Sequence, residues 1–149
     1  MINKPKKCFL GLDLGEKTLG IAISESGFFA HNLKTLFFNV HQYQELILPL
    51  KVIIDKFKVT TIVLGYPKHM NNDIGIKAQI SIDFCKRIQK NLPDIEVILW
   101  DERLSTKQTY QLFYMNKYNK YKSKKLKDEI AASIILQNFL NYSNNQLKK

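Results

Sequence analysis

Arginine, cysteine and long apolar runs are all scarce in this 149-residue chain, and each scarcity excludes something. Only Arg87 and Arg103 are arginines, so lysine carries nearly all of the formal net charge of +10. The chain is also crowded with Asn and Ile, a bias that coding composition alone can produce. Bulk charge therefore says less about a polyanionic partner than its distribution does. The two cysteines, Cys8 and Cys85, lie far apart without metal-ligand spacing. They are expected to be free, buried thiols in a reducing compartment, and neither a disulfide framework nor a zinc site is expected. No apolar stretch is long enough to span a bilayer, and the basic opening "MINKPKK" leads into a short run interrupted by Asp13, unlike a signal peptide. A cytoplasmic protein with no membrane partner is predicted. With 45% hydrophobic residues but only 6 Gly and 4 Pro, the composition favours a packed globule over a disordered chain. The length suits one domain spanning residues 1–149.

Acidic residues are missing altogether from Arg103 to Lys127, where Lys117, Lys120, Lys122, Lys124, Lys125 and Lys127 gather with Tyr114, Tyr118 and Tyr121. A lysine run of this kind can be merely a solvated face, but it also suits a grip on a phosphate backbone, with Lys120, Lys122, Lys124 and Lys125 as the candidate contacts. Arg103 adds a planar donor fork beside two carboxylates, suited to a phosphate or a carboxylate partner. Lys17, just past the first turn, is a candidate phosphate contact and equally an ordinary exposed turn lysine.

Apolar periodicity predicts the elements. "CFLGLDLG", "TLGIAISES" and "FFAHNLKTLFF" read as successive strands with glycine-bearing turns. "HQYQELILPLKVIIDKFK" has helical spacing that Pro49 should kink or divide. "VTTIVLGYP" reads as a buried strand, "NDIGIKAQISIDFCKRIQKNL" as an amphipathic helix and "IEVILWDE" as the fifth strand. "STKQTYQLFYMNKY", opened by the capping residue Ser105, and "KLKDEIAASIILQNFLNY" are the last two helices. Three strands followed by alternating helices and strands predict a mixed α/β sheet covered by helices, its fourth and fifth strands parallel.

Carboxylates fall at the ends of elements that such a fold brings together: Asp13 after the first strand, Asp101 and Glu102 after the fifth, Asp128 near the start of the last helix. Hard cations such as Mg²⁺ prefer oxygen ligands from a few carboxylates plus substrate phosphates, so the pattern suits a divalent metal site. Taken singly, Asp13 could instead cap a turn, Asp128 support a helix N-terminus, and Asp101 be solvated.

Together, "GLDLGEKTLGIAIS", "IVLGYPKHMNNDIG", "WDERLST" and "KDEIAASIILQNFL" resemble the YqgF (RuvX) family of nucleases, in family order from about Cys8 to Tyr142. That family was first likened to Holliday-junction resolvases and later linked to processing of pre-16S ribosomal RNA. The resemblance implies a ribonuclease-H-like, five-stranded sheet in the order 3-2-1-4-5 with the acidic site at its centre. It implies catalysis and Mg²⁺ or Mn²⁺ binding by Asp13, Glu102 and Asp128. Two strand spacings separate the first and fifth strands, about 9–10 Å, which favours the longer Glu102 over Asp101. Asp101 stays the alternative, because register at a strand end is not legible in the sequence. Tyr66 and Asn72 depart from the family's usual aliphatic residue and glycine, and Asn can keep a left-handed turn.

The function expected is metal-dependent hydrolysis of phosphodiesters in structured nucleic acid. RNA is favoured over DNA, the 5′ end of pre-16S rRNA within ribosomal precursor particles is the candidate substrate, and Holliday-junction cleavage is the alternative. A non-catalytic nucleic-acid-binding module is a further alternative, which three surviving acids disfavour. A sugar-kinase or actin-like phosphotransferase, suggested by the first motif, needs two such domains clasping a nucleotide, more than this length can build.

Overall fold

Where apolar residues alternate, the chain forms strands. The computed structural model describes residues 6–67, 75–102 and 124–147, with side chains of the last stretch described from 130 to 146. Strand β1 (Phe9–Leu14) pairs antiparallel with β2 (Thr18–Ser24), and β2 pairs antiparallel with β3 (His31–Phe37). A 3₁₀ turn (Tyr43–Leu46) runs into helix α1 (Ile47–Phe57), which leads to β4 (Thr61–Tyr66). Helix α2 (Ile76–Asn91), β5 (Glu96–Asp101) and helix α3 (Lys124–Leu147) complete the described elements. The sheet has the order β3-β2-β1-β4-β5, with β4 parallel to both β1 and β5. This is the mixed sheet and the order expected.

Two details differ from the periodicity. Phe28 and Phe29 do not begin β3, because their amides donate to Ser26 Oγ at 3.0 and 3.2 Å in a turn where Gly27 takes φ +82°. That positive φ is costly for any residue but glycine, so the turn is set by Gly27 and the two phenylalanines are left exposed. Pro49 does not kink α1: it sits in the first helical turn, where no amide donor is needed, and the helical segment is divided ahead of it by the 3₁₀ turn.

Each sheet face carries its own core. Leu10, Leu12, Leu19, Ile21, Ile62 and Leu64 pack on Leu50, Ile53 and Ile54 of α1 and Phe84 and Ile88 of α2. Ala22, Val63 and Trp100 pack on Ala132, Ile135, Leu136 and Phe139 of α3. The two alternating sets belong to opposite faces because successive strand side chains point to opposite sides. Helix α3 fits so closely that a Cβ on Gly11 would fall 2.6 Å from Leu136 Cβ and 2.8 Å from the Ala132 carbonyl oxygen.

Polar contacts set the direction of α3. The Ala30 amide donates to Gln137 Oε1 at 2.9 Å, Gln137 Nε2 donates to the Phe28 carbonyl at 2.8 Å, and Asn144 Nδ2 donates to the Gly27 carbonyl at 3.0 Å. Phe139 meets Phe9, at the start of β1, with ring centroids 6.1 Å apart, while Leu136 lies over Gly11. Helix α3 therefore runs antiparallel to β1, and its N-terminal turns approach the C-terminal ends of β1, β4 and β5. Among the described residues no helix is long and apolar enough to cross a membrane. Both cysteines are free and buried, as expected, and burial pushes both thiols up.

Candidate active site at the strand C-termini

Parallel strands deliver the residues at their C-terminal ends to one edge of the sheet, where α/β folds commonly bind ligands. Here that edge holds Asp13 on β1, Gly65 and Tyr66 on β4, and Asp101 and Glu102 at the end of β5. Pairing of Leu12 with Leu64 and of Gly65 with Trp100 puts Gly65 level with Asp13 and Trp100, on the strand between theirs. On the other side of Asp13, Gly20 of β2 is its direct partner, and Thr35 of β3 follows Gly20. Glycine thus flanks Asp13 on both neighbouring strands.

The two face sets separate the adjacent acids of β5. Ile98 and Trp100 belong to the α3 side, Val97 and Leu99 to the α1/α2 side. Alternation sends Asp101, the last residue of β5, to the α1/α2 side, whereas Glu102 follows the strand and is placed by its contacts. The contact at Gly65 puts Glu102 on the α3 side, since a Cβ there would lie 3.0 Å from Glu102 Oε1 and 2.4 Å from Ile135 Cδ1 of α3. The Glu102 carboxylate therefore leans from β5 across β4, in the direction of β1. Asp13, two residues beyond Gly11, projects from the same face. Asp101 does not share it.

Helix geometry brings the backbone at Asp128 to this edge. Asp128 precedes Ala132 by one helical turn, about 6 Å along the axis at ~1.5 Å per residue. Asp13 lies a similar ~6.6 Å beyond Gly11, on which Ala132 rests. The Asp128 side chain lies outside the described side chains. Among the described residues, no three His, Cys, Asp or Glu side chains gather as a metal site. Among the described residues, alternation on β1 and the contact at Gly65 put Asp13 and Glu102 on the same face. Their donor set is all oxygen, and the missing side chain at Gly65 leaves a cradle against one of the carboxylates, an arrangement that fits a hard divalent cation.

Burial pushes the Glu102 carboxyl above the usual carboxylate range, the charge of Asp101 pushes it further, and Lys77 pulls it the other way. Lys77 stands in the first turn of α2. Neither Lys77 nor Gly65 was singled out by sequence reasoning. The "LGYP" that ends β4 was the available signal for Gly65, and Lys77 carried no signal beyond its place at the start of a predicted helix. Lys17 is exposed in the β1–β2 turn, where its carbonyl accepts from the Phe38 amide at 3.0 Å. Lys124 and Lys125 open α3 in the backbone, with side chains outside the described set. Arg103, Lys120 and Lys122 lie outside the described residues, as do Ser105, Asn72 and the helix expected over "STKQTYQLFYMNKY".

Comparison with known proteins draws these features together. A family profile described as "RuvX: Holliday junction resolvase" matches residues 7–142. A protein of Onion yellows phytoplasma (strain OY-M), named "Putative pre-16S rRNA nuclease", is 58% identical over 142 residues, covering 95% of this chain and 94% of its own. A Staphylococcus epidermidis protein of the same name is 42% identical over 136 residues, covering 91% of this chain and 96% of its own. Among solved structures, Thermus thermophilus RuvC in complex with Holliday junction substrate superposes with a TM-score of 0.63 at 10% identity, covering 92% of this chain and 96% of that one. The last likeness bears on the fold, which is that of ribonuclease H. With the matched profile and the relatives spanning the same elements that carry Asp13, Gly65, Glu102 and α3, this chain belongs to the RuvX family.

Proposed function

We propose that this protein is a divalent-metal-dependent nuclease that hydrolyses phosphodiester bonds in structured nucleic acid, with precursor 16S rRNA as its substrate. The observation that carries the reading is the placement of Asp13 and Glu102 on one sheet face, with the Glu102 carboxylate laid over Gly65. Asp13, Glu102 and Asp128 would hold Mg²⁺ or Mn²⁺. Such an ion supplies Lewis acidity at the scissile phosphate and an acidified water for in-line attack. The chain's own part is to hold carboxylates in fixed positions, to exclude competing side chains at Gly65, and to grip the flanking phosphates. Lys17, Arg103, Lys120, Lys122, Lys124 and Lys125 are the residues assigned to that grip. Hydrolysis then forms one bond from water oxygen to phosphorus and breaks one from phosphorus to the leaving sugar oxygen.

RNA is supported by the names of relatives at 40–58% identity, and the cytoplasm and ribosomal precursor particles follow from that substrate. Holliday-junction cleavage is the second reading, supported by the description of the matched family. The test offers purified protein a precursor rRNA with an intact 5′ leader and a four-way DNA junction, each with Mg²⁺, Mn²⁺ or chelator. Metal-dependent cutting of the RNA is the expected result. Cutting of the junction alone moves the substrate to DNA, metal-independent cutting defeats the metal site, and no cutting of either substrate defeats the nuclease reading.

A further inference from the structure

Two glycines touch α3, and the atoms they face are different in kind. At Gly11 an added Cβ would meet Leu136 Cβ and the Ala132 carbonyl oxygen, at 2.6 and 2.8 Å, so the helix backbone itself is in the way. At Gly65 it would meet Ile135 Cδ1 at 2.4 Å, Glu102 Oε1 at 3.0 Å and Ile135 Cγ1 at 3.0 Å. Two of these atoms, Ile135 Cδ1 and Glu102 Oε1, are side-chain ends that can turn aside; Ile135 Cγ1 is held closer to the helix by its β-branched carbon and must give by a few tenths of an ångström. A helix can yield neither its backbone nor its axis cheaply, whereas a terminal methyl or a carboxylate can rotate aside. The need for glycine at position 11 is therefore met by packing alone. Packing alone accounts less well for position 65, because an alanine could be accommodated there by turning Ile135 and displacing Glu102.

We infer that Gly65 is a positioning residue for the metal site: its missing side chain lets the Glu102 carboxylate lie across β4 toward Asp13, and any side chain there pushes that carboxylate back toward β5. This rests on the proposed reading of Asp13 and Glu102 as metal-holding groups. Position 65 is suited to the task because it occupies the strand between the two acids, one interstrand spacing of ~4.8 Å from each of their strands. Glu102 must bridge that gap with its side chain, and the space above Gly65 is the path. The effect on the metal is indirect, through the orientation of a ligand, and changes of that kind cost roughly 10–100-fold in metal affinity.

The experiment uses the full chain and reads metal without turnover. Trp100 is the sole tryptophan and stands two residues before Glu102 on the same face, so its fluorescence reports paramagnetic Mn²⁺ bound nearby. Mn²⁺ titrations compare wild type, Glu102→Gln, Gly65→Ala and the double variant Gly65→Ala/Ile135→Val, whose valine lacks the closest clashing methyl. Expected is a folded Gly65→Ala chain that needs roughly 10–100-fold more Mn²⁺ for half-maximal quenching. In the double variant the unfolding midpoint should recover toward wild type while the Mn²⁺ requirement does not. Wild-type Mn²⁺ affinity in the double variant, with Glu102→Gln still impaired, would overturn the role of Gly65 and leave the metal reading standing. No quenching in wild type would overturn both. Failure of both alanine-bearing chains to fold would also overturn it, because the collision would then be with the helix and not with two mobile tips.

Discussion

Adjacent acids with opposite fates are the clearest residue-scale feature of this molecule. Asp101 ends β5 on the α1/α2 side, and Glu102, the next residue, lays its carboxylate over Gly65 on the α3 side. Asp13→Asn and Glu102→Gln should each reduce cleavage by more than ~100-fold, beyond the loss usual for groups that only orient a ligand. Nucleic-acid binding should hold or tighten, since less negative charge faces the phosphates. Asp101→Asn should keep its activity, and an inactive Asp101→Asn beside an active Glu102→Gln would reverse the assignment. A pH measurement addresses Glu102 separately. Its carboxyl titrates above the usual range in the folded, metal-free chain because burial and Asp101 oppose its charge. Between the unfolded and folded pKa values the native state binds more protons, so this group's contribution to stability falls as pH rises through that window. In chelator, Glu102→Gln should therefore unfold at a higher temperature than wild type near neutral pH, and the gap should close below the ordinary glutamate pKa. A gap that is constant with pH would count against it.

Among the elements, α3 does two jobs with two halves. Its C-terminal half holds the β2–β3 hairpin through Gln137, which both accepts from the Ala30 amide and donates to the Phe28 carbonyl. Gln137→Ala would leave the buried Ala30 amide unpaired, at about 1–3 kcal/mol, and speed amide exchange in the hairpin. Denaturant unfolding checks it, and an unchanged midpoint would mean that water replaces the amide. Its N-terminal end carries the backbone of Asp128, Lys124 and Lys125 to the acidic edge. Neutralising Lys120, Lys122, Lys124 and Lys125 together should weaken binding across sequences. It should also flatten the dependence of log affinity on log salt by up to about 0.9 per lost contact on duplex DNA and about 0.7 on a single strand. An unaltered slope would show that this lysine run is only a solvated face.

At the scale of the whole molecule, a ligand that binds only the folded chain stabilises it by mass action, by about 2.7 kcal/mol at a hundred times its dissociation constant. Mg²⁺ or Mn²⁺ should therefore raise the unfolding midpoint relative to chelator, and Asp13→Asn should remove most of that rise. An equal rise in both chains would place the metal elsewhere. Sheet order matters to this outcome: with β1 central and β4 between it and β5, the acids sit on strands that cannot touch directly. The site therefore depends on side-chain reach and on what stands between.

Much of this was legible from residue order. Alternating apolar runs exposed the five strands, and the helical spacing of "KLKDEIAASIILQNFLNY" exposed α3, because both periodicities follow from local backbone geometry. Asp13 could be placed at the end of β1 for the same reason, and the family's motifs named the other acids. Which of Asp101 and Glu102 faces Asp13 could not be read, because a strand end has no local marker of register; pairing of Gly65 with Trp100 and the contact of Glu102 over Gly65 decided it. The start of β3 was misread because the Gly27 turn captures the amides of Phe28 and Phe29, and a hydrogen bond to Ser26 carries no hydropathy signal. Gly65 itself was legible only as punctuation near a strand end. Its neighbours Ile135 and Glu102 come from a helix and a strand distant in sequence, so that only tertiary packing could show what its absent side chain makes room for.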